Sequence, residues 1–109
     1  MQNKIPFEDY KNILENMPIC CVDIIIIHNK KVLLVYRKDE PAKDKWWVIG
    51  GRVLKNEKLK DAVIRKVQEE TGLKVKIEKQ LGVYEFRGDK SNFDIKTGIH
   101  DIVIVYVVK

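Results

Sequence analysis

The sequence predicts an α+β fold in which a mixed β-sheet packs between helices, an αβα sandwich. Three observations predict it. The apolar patterns run helix, two strands, a short strand, a second helix and then three strands, which is not a βαβ array. Residues 58–71 repeat apolar side chains at helical spacing. The other apolar runs are strand-sized, rich in Val and Ile, and separated by turn-forming residues.

The first helix pattern begins at Pro6. Phe7, Tyr10, Ile13 and Leu14 recur at helical spacing. Glu8 and Asp9 fall in the first turn, where the helix dipole favours acids, and Pro18 ends the pattern. Residues 20–28 then form a strongly β-branched strand. Asn29-Lys30 is a turn signal, and residues 32–37 form the return strand of a hairpin. A charged loop with Pro41 covers 38–45. The short apolar segment 46–49 runs into Gly50-Gly51. In the second helix, Leu59, Ala62, Val63 and Val67 make one stripe that must be buried, and Gly72 is the natural stop. Residues 73–77 alternate as a strand, 81–87 form another, 88–97 are polar and loop-like, and 99–108 form a long last strand.

This is one domain over residues 1–109, with no repeats, low-complexity tracts or linkers. Two features point to a C-terminally incomplete domain that lacks its last helix. The chain stops at Lys109 directly after an apolar strand, and only one long helix follows the first hairpin. A sheet apolar on both faces needs a cover on each. The N-terminal helix, a partner subunit or residues beyond Lys109 could supply the second.

Hydrophobic residues make up 45% and charged residues 34% of the chain, as in a soluble globular protein. The net charge of +5 favours anionic partners without choosing among them. No apolar run reaches the length of a membrane span, and residues 1–11 lack the pattern of a signal peptide. Cys20 and Cys21 are adjacent and read as small strand residues in a reducing, cytoplasmic setting. The basic residues are spread along the chain without interleaved aromatics, which argues against a nucleic-acid partner.

Chemistry concentrates in residues 51–73, GRVLKNEKLKDAVIRKVQEETGL. Gly50-Gly51 permits a backbone turn that exposes peptide groups to a ligand or metal. Glu69 and Glu70 are neighbours about 100° apart around a helix, and paired carboxylates beside carbonyl oxygens suit Mg²⁺. Arg65 stands one turn earlier and can orient a carboxylate. Glu57 is too far along the axis to share that metal and is expected to brace the loop before the helix. An adjacent Glu pair alone would be ordinary surface decoration.

The spacing resembles the Nudix hydrolase family. Gly51, Glu57, Arg65, Val67, Glu69, Glu70, Gly72 and Leu73 stand at the offsets of that family's motif. One position departs: Lys66 replaces a Glu that helps bind metal in typical members. An ammonium cannot ligate a metal and repels a second cation. The substitution therefore implies fewer bound metals or lost activity, unless Lys66 simply points to solvent.

Within the family the chain is most similar to the GDP-mannose mannosyl hydrolase branch. The similarity rests on Phe7 to Tyr10, Pro18, Asp23, Arg37, Pro41-Ala42, Trp46, Gly50 to Val53 and Gly82-Val83-Tyr84. It implies an Mg²⁺-dependent hydrolase of a nucleotide sugar, with water attacking the sugar carbon and the nucleoside diphosphate leaving. Glu70 and the Gly50 carbonyl would hold one Mg²⁺ (or Mn²⁺), with Glu69 in support. Arg37 and Arg52 would neutralise the diphosphate, Asp23 would face the sugar, and Tyr10 could line the nucleotide pocket. Gly51, Glu57, Arg65 and Gly72 would be structural, and the protein would be a homodimer. Ile49 departs from the family's usual Pro, and Glu85 to Asp89 departs from the branch's His-containing segment. The branch also takes its general base from a loop beyond the last strand, and no base is evident in residues 1–109.

Several residues also have plainer readings. Asp23 could be an edge-strand charge and Arg37 a strand-end Arg. Trp46 and Trp47 read as packing rather than ligand platforms. His28 and His100 read as structural, with no carboxylate partner visible. Two further functions stay open: a Nudix hydrolase attacking phosphorus, and a non-enzymatic nucleotide-binding module.

Overall fold

The β-branched run after Pro18 becomes the middle of the sheet. The computed structural model describes residues 4–39, 42–88 and 97–109. In chain order the elements are α1 (Phe7–Asn16), β1 (Ile19–His28), β2 (Lys31–Val32), β3 (Val35–Tyr36), β4 (Trp46–Trp47), β5 (Ile49–Arg52), α2 (Leu59–Thr71), β6 (Ile77–Gly88) and β7 (Ile99–Val108). β1 pairs in parallel with β7, which pairs antiparallel with β6. The other edge of β1 is shared by β2 and β5, both antiparallel. β3 and β4 form a separate small ladder.

Strand alternation sorts side chains onto two faces. Val22, Ile24 and Ile26 of β1, Ile49 of β5, and Ile104, Tyr106 and Val108 of β7 turn to α2. They meet Ala62, Val63 and Val67, the stripe expected from helical spacing, and all three of these are fully buried. Each buried Val or Ile side chain contributes about 1.5–3 kcal/mol on burial. The opposite face carries Cys21, Asp23 and Asp101 among aliphatics. α1 lies against β7, and Tyr10 stacks on Arg52, whose register partner is Cys21. The layers are thus helix, sheet, helix, as expected. No helix among the described residues is long and apolar enough to cross a membrane.

Three elements differ from expectation. The return strand over 32–37 splits, because β2 stays with β1 while β3 leaves to pair with β4. The segment 46–49 splits likewise, between β4 and β5. The strand expected over 73–77 is absent. Gly72 caps α2 in the left-handed conformation, as expected, and the chain regains pairing only at Lys76, which exchanges backbone hydrogen bonds with Lys109. From Ile77 the chain runs as one strand, β6, through residues 78–80, which carry no strand pattern in sequence, into the strand expected over 81–87. Register shifts at Ile77/Lys79 and Gln80/Gly82 break the alternation there, so the start of β6 does not read as strand in sequence. Pro41 and most of the polar loop over 88–97 lie outside the described residues.

Candidate functional site

The approach to α2 is locked by one ion pair. The Glu57 carboxylate accepts the Leu54 N–H at 3.0 Å and two guanidinium donors of Arg65, Nε at 2.8 Å and Nη2 at 3.1 Å. Arg65 Nη2 also donates to the Arg52 carbonyl at 3.0 Å, and Nη1 donates to Glu69 at 3.2 and 3.3 Å. Arg65 therefore ties β5, the loop and the helix together while orienting Glu69. These bonds hold the Glu57 carboxyl below its ordinary range, with the Arg65 hydrogen bond as the largest cause. Glu57 braces the loop, as its position along the chain implied.

At the far end of α2, Lys66 reaches both glutamates. Its Nζ is 3.4 Å from Glu69 Oε1 and 3.7 Å from Glu70 Oε1. Its stem lies on Gly51: a Cβ there would stand 2.7 Å from Lys66 Cε. Lys66 does not point freely to solvent, since its side chain is only 19% exposed. The expected turn at Gly50-Gly51 is not found. Both residues lie in β5, and neither has a positive φ. Glycine is needed there for close approach instead. At Gly51 the neighbour is Lys66; at Gly50 a Cβ would strike the Asp23 carboxylate and come within 2.7 Å of the Val22 carbonyl oxygen. Val53 donates to the Cys20 carbonyl, so antiparallel alternation makes Asp23–Gly50 a non-hydrogen-bonded pair. The Gly50 peptide groups then point away from β1, toward the free side of β5.

Asp23 sits on the sheet face away from α2. β1 is flanked on both sides, so Asp23 is not an edge charge. It lines a cavity of about 210 Å³ with Arg37, Gly50, Gly51, Tyr84 and Asp101. Tyr84 donates its hydroxyl to Asp23 at 2.5 Å. Burial raises the Asp23 pKa, while the Tyr84 hydrogen bond and the Arg37 charge oppose it. Asp101 had no sequence signal of its own; only its alternation with Val103 and Val105 could have placed it on this face. Burial and the Asp23 charge raise its pKa. Burial and both aspartates push the Cys21 thiol up to about 12, so it is no nucleophile at neutral pH. Both cysteines are free.

Tyr10 and Arg52 stand to one side of this cavity, with the guanidinium carbon 5.4 Å from the ring centroid. Tyr10 is in contact with Arg52 and is not among the residues lining the cavity. The tryptophans are not core packing. Trp46 is 64% exposed and meets Tyr36 edge-on, and both indoles line an adjoining apolar groove of about 540 Å³ with Leu34, Leu81 and Val83. His100 does have a carboxylate partner, Glu85 Oε2 at 2.8 Å across the β6–β7 ladder. It alternates with Asp101 and so lies on the other face of the sheet from the cavity.

The fold and site define a class: a mixed sheet with a glycine-led helix that carries paired carboxylates on one face and an arginine-bearing cavity on the other. The chain matches the NUDIX domain family over residues 18–109 and belongs to it. It is 43% identical over 91 residues to the low-salt glycan biosynthesis protein Agl8 of Haloferax volcanii, with 84% of this chain and 58% of that protein covered. It is 38% identical to an ADP-ribose pyrophosphatase of Methanocaldococcus jannaschii, with 84% and 50% covered. The chain thus spans about half the length of these relatives, 58% and 50%. Among solved structures, a MutT protein from Methanosarcina mazei superposes with TM-score 0.68 at 30% identity, covering 84% of this chain and 64% of that one. A MutT NUDIX hydrolase from Burkholderia pseudomallei gives TM-score 0.67 at 28% identity, covering 84% and 67%.

Nudix hydrolases generally use a divalent metal such as Mg²⁺. Two adjacent carboxylates and an outward carbonyl fit one such ion, since Mg²⁺ takes one or two carboxylates and completes its shell with waters and phosphate oxygens. No group of three or more His, Cys, Asp or Glu is placed to hold a metal among the described residues.

Proposed function

We propose that this chain carries the metal and diphosphate site of an Mg²⁺-dependent Nudix hydrolase whose substrate is a nucleotide sugar of the GDP-mannose kind. The observation that carries the reading is the convergence of Asp23, Arg37, Gly50 and Gly51 on one cavity, while Lys66, which pairs with Glu69 and Glu70, packs on Gly51 from the other face of β5. A nucleotide sugar offers groups for each part. Glu70, Glu69 and the Gly50 carbonyl would hold one Mg²⁺, which when bound neutralises charge on the leaving diphosphate. Arg37 and Arg52 neutralise the rest, and a guanidinium is the side chain suited to forked contact with phosphate. Asp23 accepts from Tyr84, and an ionised carboxylate has further lone pairs that can accept a sugar hydroxyl. Tyr10 acts through Arg52 by holding its guanidinium in place. The name of the glycan biosynthesis relative supports a sugar-bearing substrate.

A second reading is attack at phosphorus, favoured by the relative named as an ADP-ribose pyrophosphatase. Both substrates are nucleoside diphosphates joined to a sugar. The test is turnover of GDP-mannose, GDP-glucose and ADP-ribose with Mg²⁺ in ¹⁸O-labelled water. Label on the sugar supports carbon attack, and label on a phosphate supports phosphorus attack. Binding of GDP with Mg²⁺ but no turnover of any substrate by folded protein leaves a binding module and overturns the hydrolase reading.

A further inference from the structure

Lys66 is the one residue that departs from the family's metal-binding pattern, and its placement gives it a role beyond absence. Two carboxylates converge on its ammonium, and Gly51 makes room for its stem. Glu69 lies at 3.4 Å and Glu70 at 3.7 Å. Gly51 has no side chain in the way of the lysine stem: a Cβ there would stand 2.7 Å from Cε and 3.3 Å from Nζ. An ordinary surface lysine is mobile and solvated, but this side chain is 19% exposed, less than Glu69 at 36% or Glu70 at 48%. The cation is therefore held in the angle between β5 and the two carboxylates, where an ion bridging them would sit or be an immediate neighbour.

We propose that the Lys66 ammonium is a tethered cation that occupies one cation position of the site and restricts divalent-ion binding to a single, weakly held ion. This rests on the reading of Glu69 and Glu70 as metal ligands. The ammonium has three donors and no acceptor, so it can pair with both carboxylates but cannot join a metal's shell. It competes for their oxygens and repels a divalent ion by twice the force it would exert on a univalent one at equal distance. A carboxylate at the same position would do the reverse on both counts. The site thus trades part of its metal affinity for a positive charge that is always present.

The test is Mn²⁺ binding without nucleotide, followed by electron paramagnetic resonance of the free ion and by calorimetry. Wild type, Lys66→Met, Lys66→Gln and Lys66→Glu are compared, with thermal denaturation as the folding control. Wild type is expected to bind one ion. Lys66→Met and Lys66→Gln are expected to bind it at least tenfold tighter, and Lys66→Glu to bind a second ion. The sign is decisive, because a lysine that merely stabilised the helix end would leave metal affinity unchanged or lower it when removed. Affinity within twofold of wild type in folded Lys66→Met and Lys66→Gln overturns the proposal, as does a wild type that already binds two ions. No Mn²⁺ binding by any of the four overturns it together with the assignment of Glu69 and Glu70 as ligands. None of these readouts needs turnover, so failure of the nucleotide-sugar assignment alone is seen separately, in the hydrolysis assay.

Discussion

Replacing Arg65 should damage this protein more than its partial exposure suggests. Arg65→Ala removes two donors from Glu57, one from the Arg52 carbonyl and the contact to Glu69. The side chains of Arg65 and Glu57 are 22% and 14% exposed, so the pair is neither a surface ion pair nor a fully buried one. Hydrogen bonds to charged groups contribute roughly 1.5–3 kcal/mol, and stranding a fully buried partner costs about 3–5 kcal/mol. Water reaches part of this pair, which places the loss at about 2 kcal/mol. At about 4 °C per kcal/mol for a chain of this size, the melting temperature falls by about 8 °C. Arg65→Lys keeps the charge but not the planar fork, and should lose about 1 kcal/mol. Urea denaturation of Arg65→Ala, Glu57→Gln and the double variant measures the coupling directly, with an expected value of about 1–2 kcal/mol. Coupling below about 0.5 kcal/mol, or equal stability of Arg65→Lys and wild type, would refute the forked clasp as the brace of this loop.

Gly50→Ala should destabilise by about 1–3 kcal/mol through overpacking, because the obstacles are the Val22 backbone and the Asp23 carboxylate; a urea midpoint unchanged from wild type would contradict the close approach. Acid should weaken the Glu57 brace. Its folded pKa lies below the ordinary 4.5, so its contribution is present above that value and lost as pH falls through the lowered one. Melting curves from pH 6 to pH 2 should therefore fall more steeply for wild type than for Glu57→Gln. Asp101 carries the opposite sign. Its folded pKa is raised above 3.8 by burial and by Asp23, so its contribution is present below 3.8 and lost as pH rises through the raised value. Asp101→Asn should gain stability over wild type at pH 7 and show no gain below about pH 3.8; a gain that does not change with pH would count against the carboxylate repulsion.

Much of the arrangement on α2 is local in origin, which is why it was legible in sequence. Side chains three and four positions apart on a helix must be neighbours. That relation alone places Arg65 beside Glu69, Lys66 beside Glu70, and Ala62, Val63 and Val67 on one buried stripe. The left-handed cap at Gly72 follows from the same local rules. The sheet was legible only as a set of strands. Bulges near the start of β6 hid where that strand begins, and the sequence between Arg37 and Trp46 did not reveal that β3 and β4 form a ladder of their own.

What the sequence determined by itself, then, is the helix with its carboxylates and brace, and the family those spacings mark. Tertiary structure decided what stands opposite them. Tyr84 meets Asp23 across 61 positions of chain, Asp101 joins the same cavity, and His100 finds Glu85, all through cross-strand register. Register depends on which whole faces can be buried together, and no single residue type encodes it. The two glycines make the point within four residues of chain. Their presence before the helix was plain in sequence, but they are glycines because Asp23 and Lys66 press against β5 from its two faces, and only the packed fold brings those side chains there.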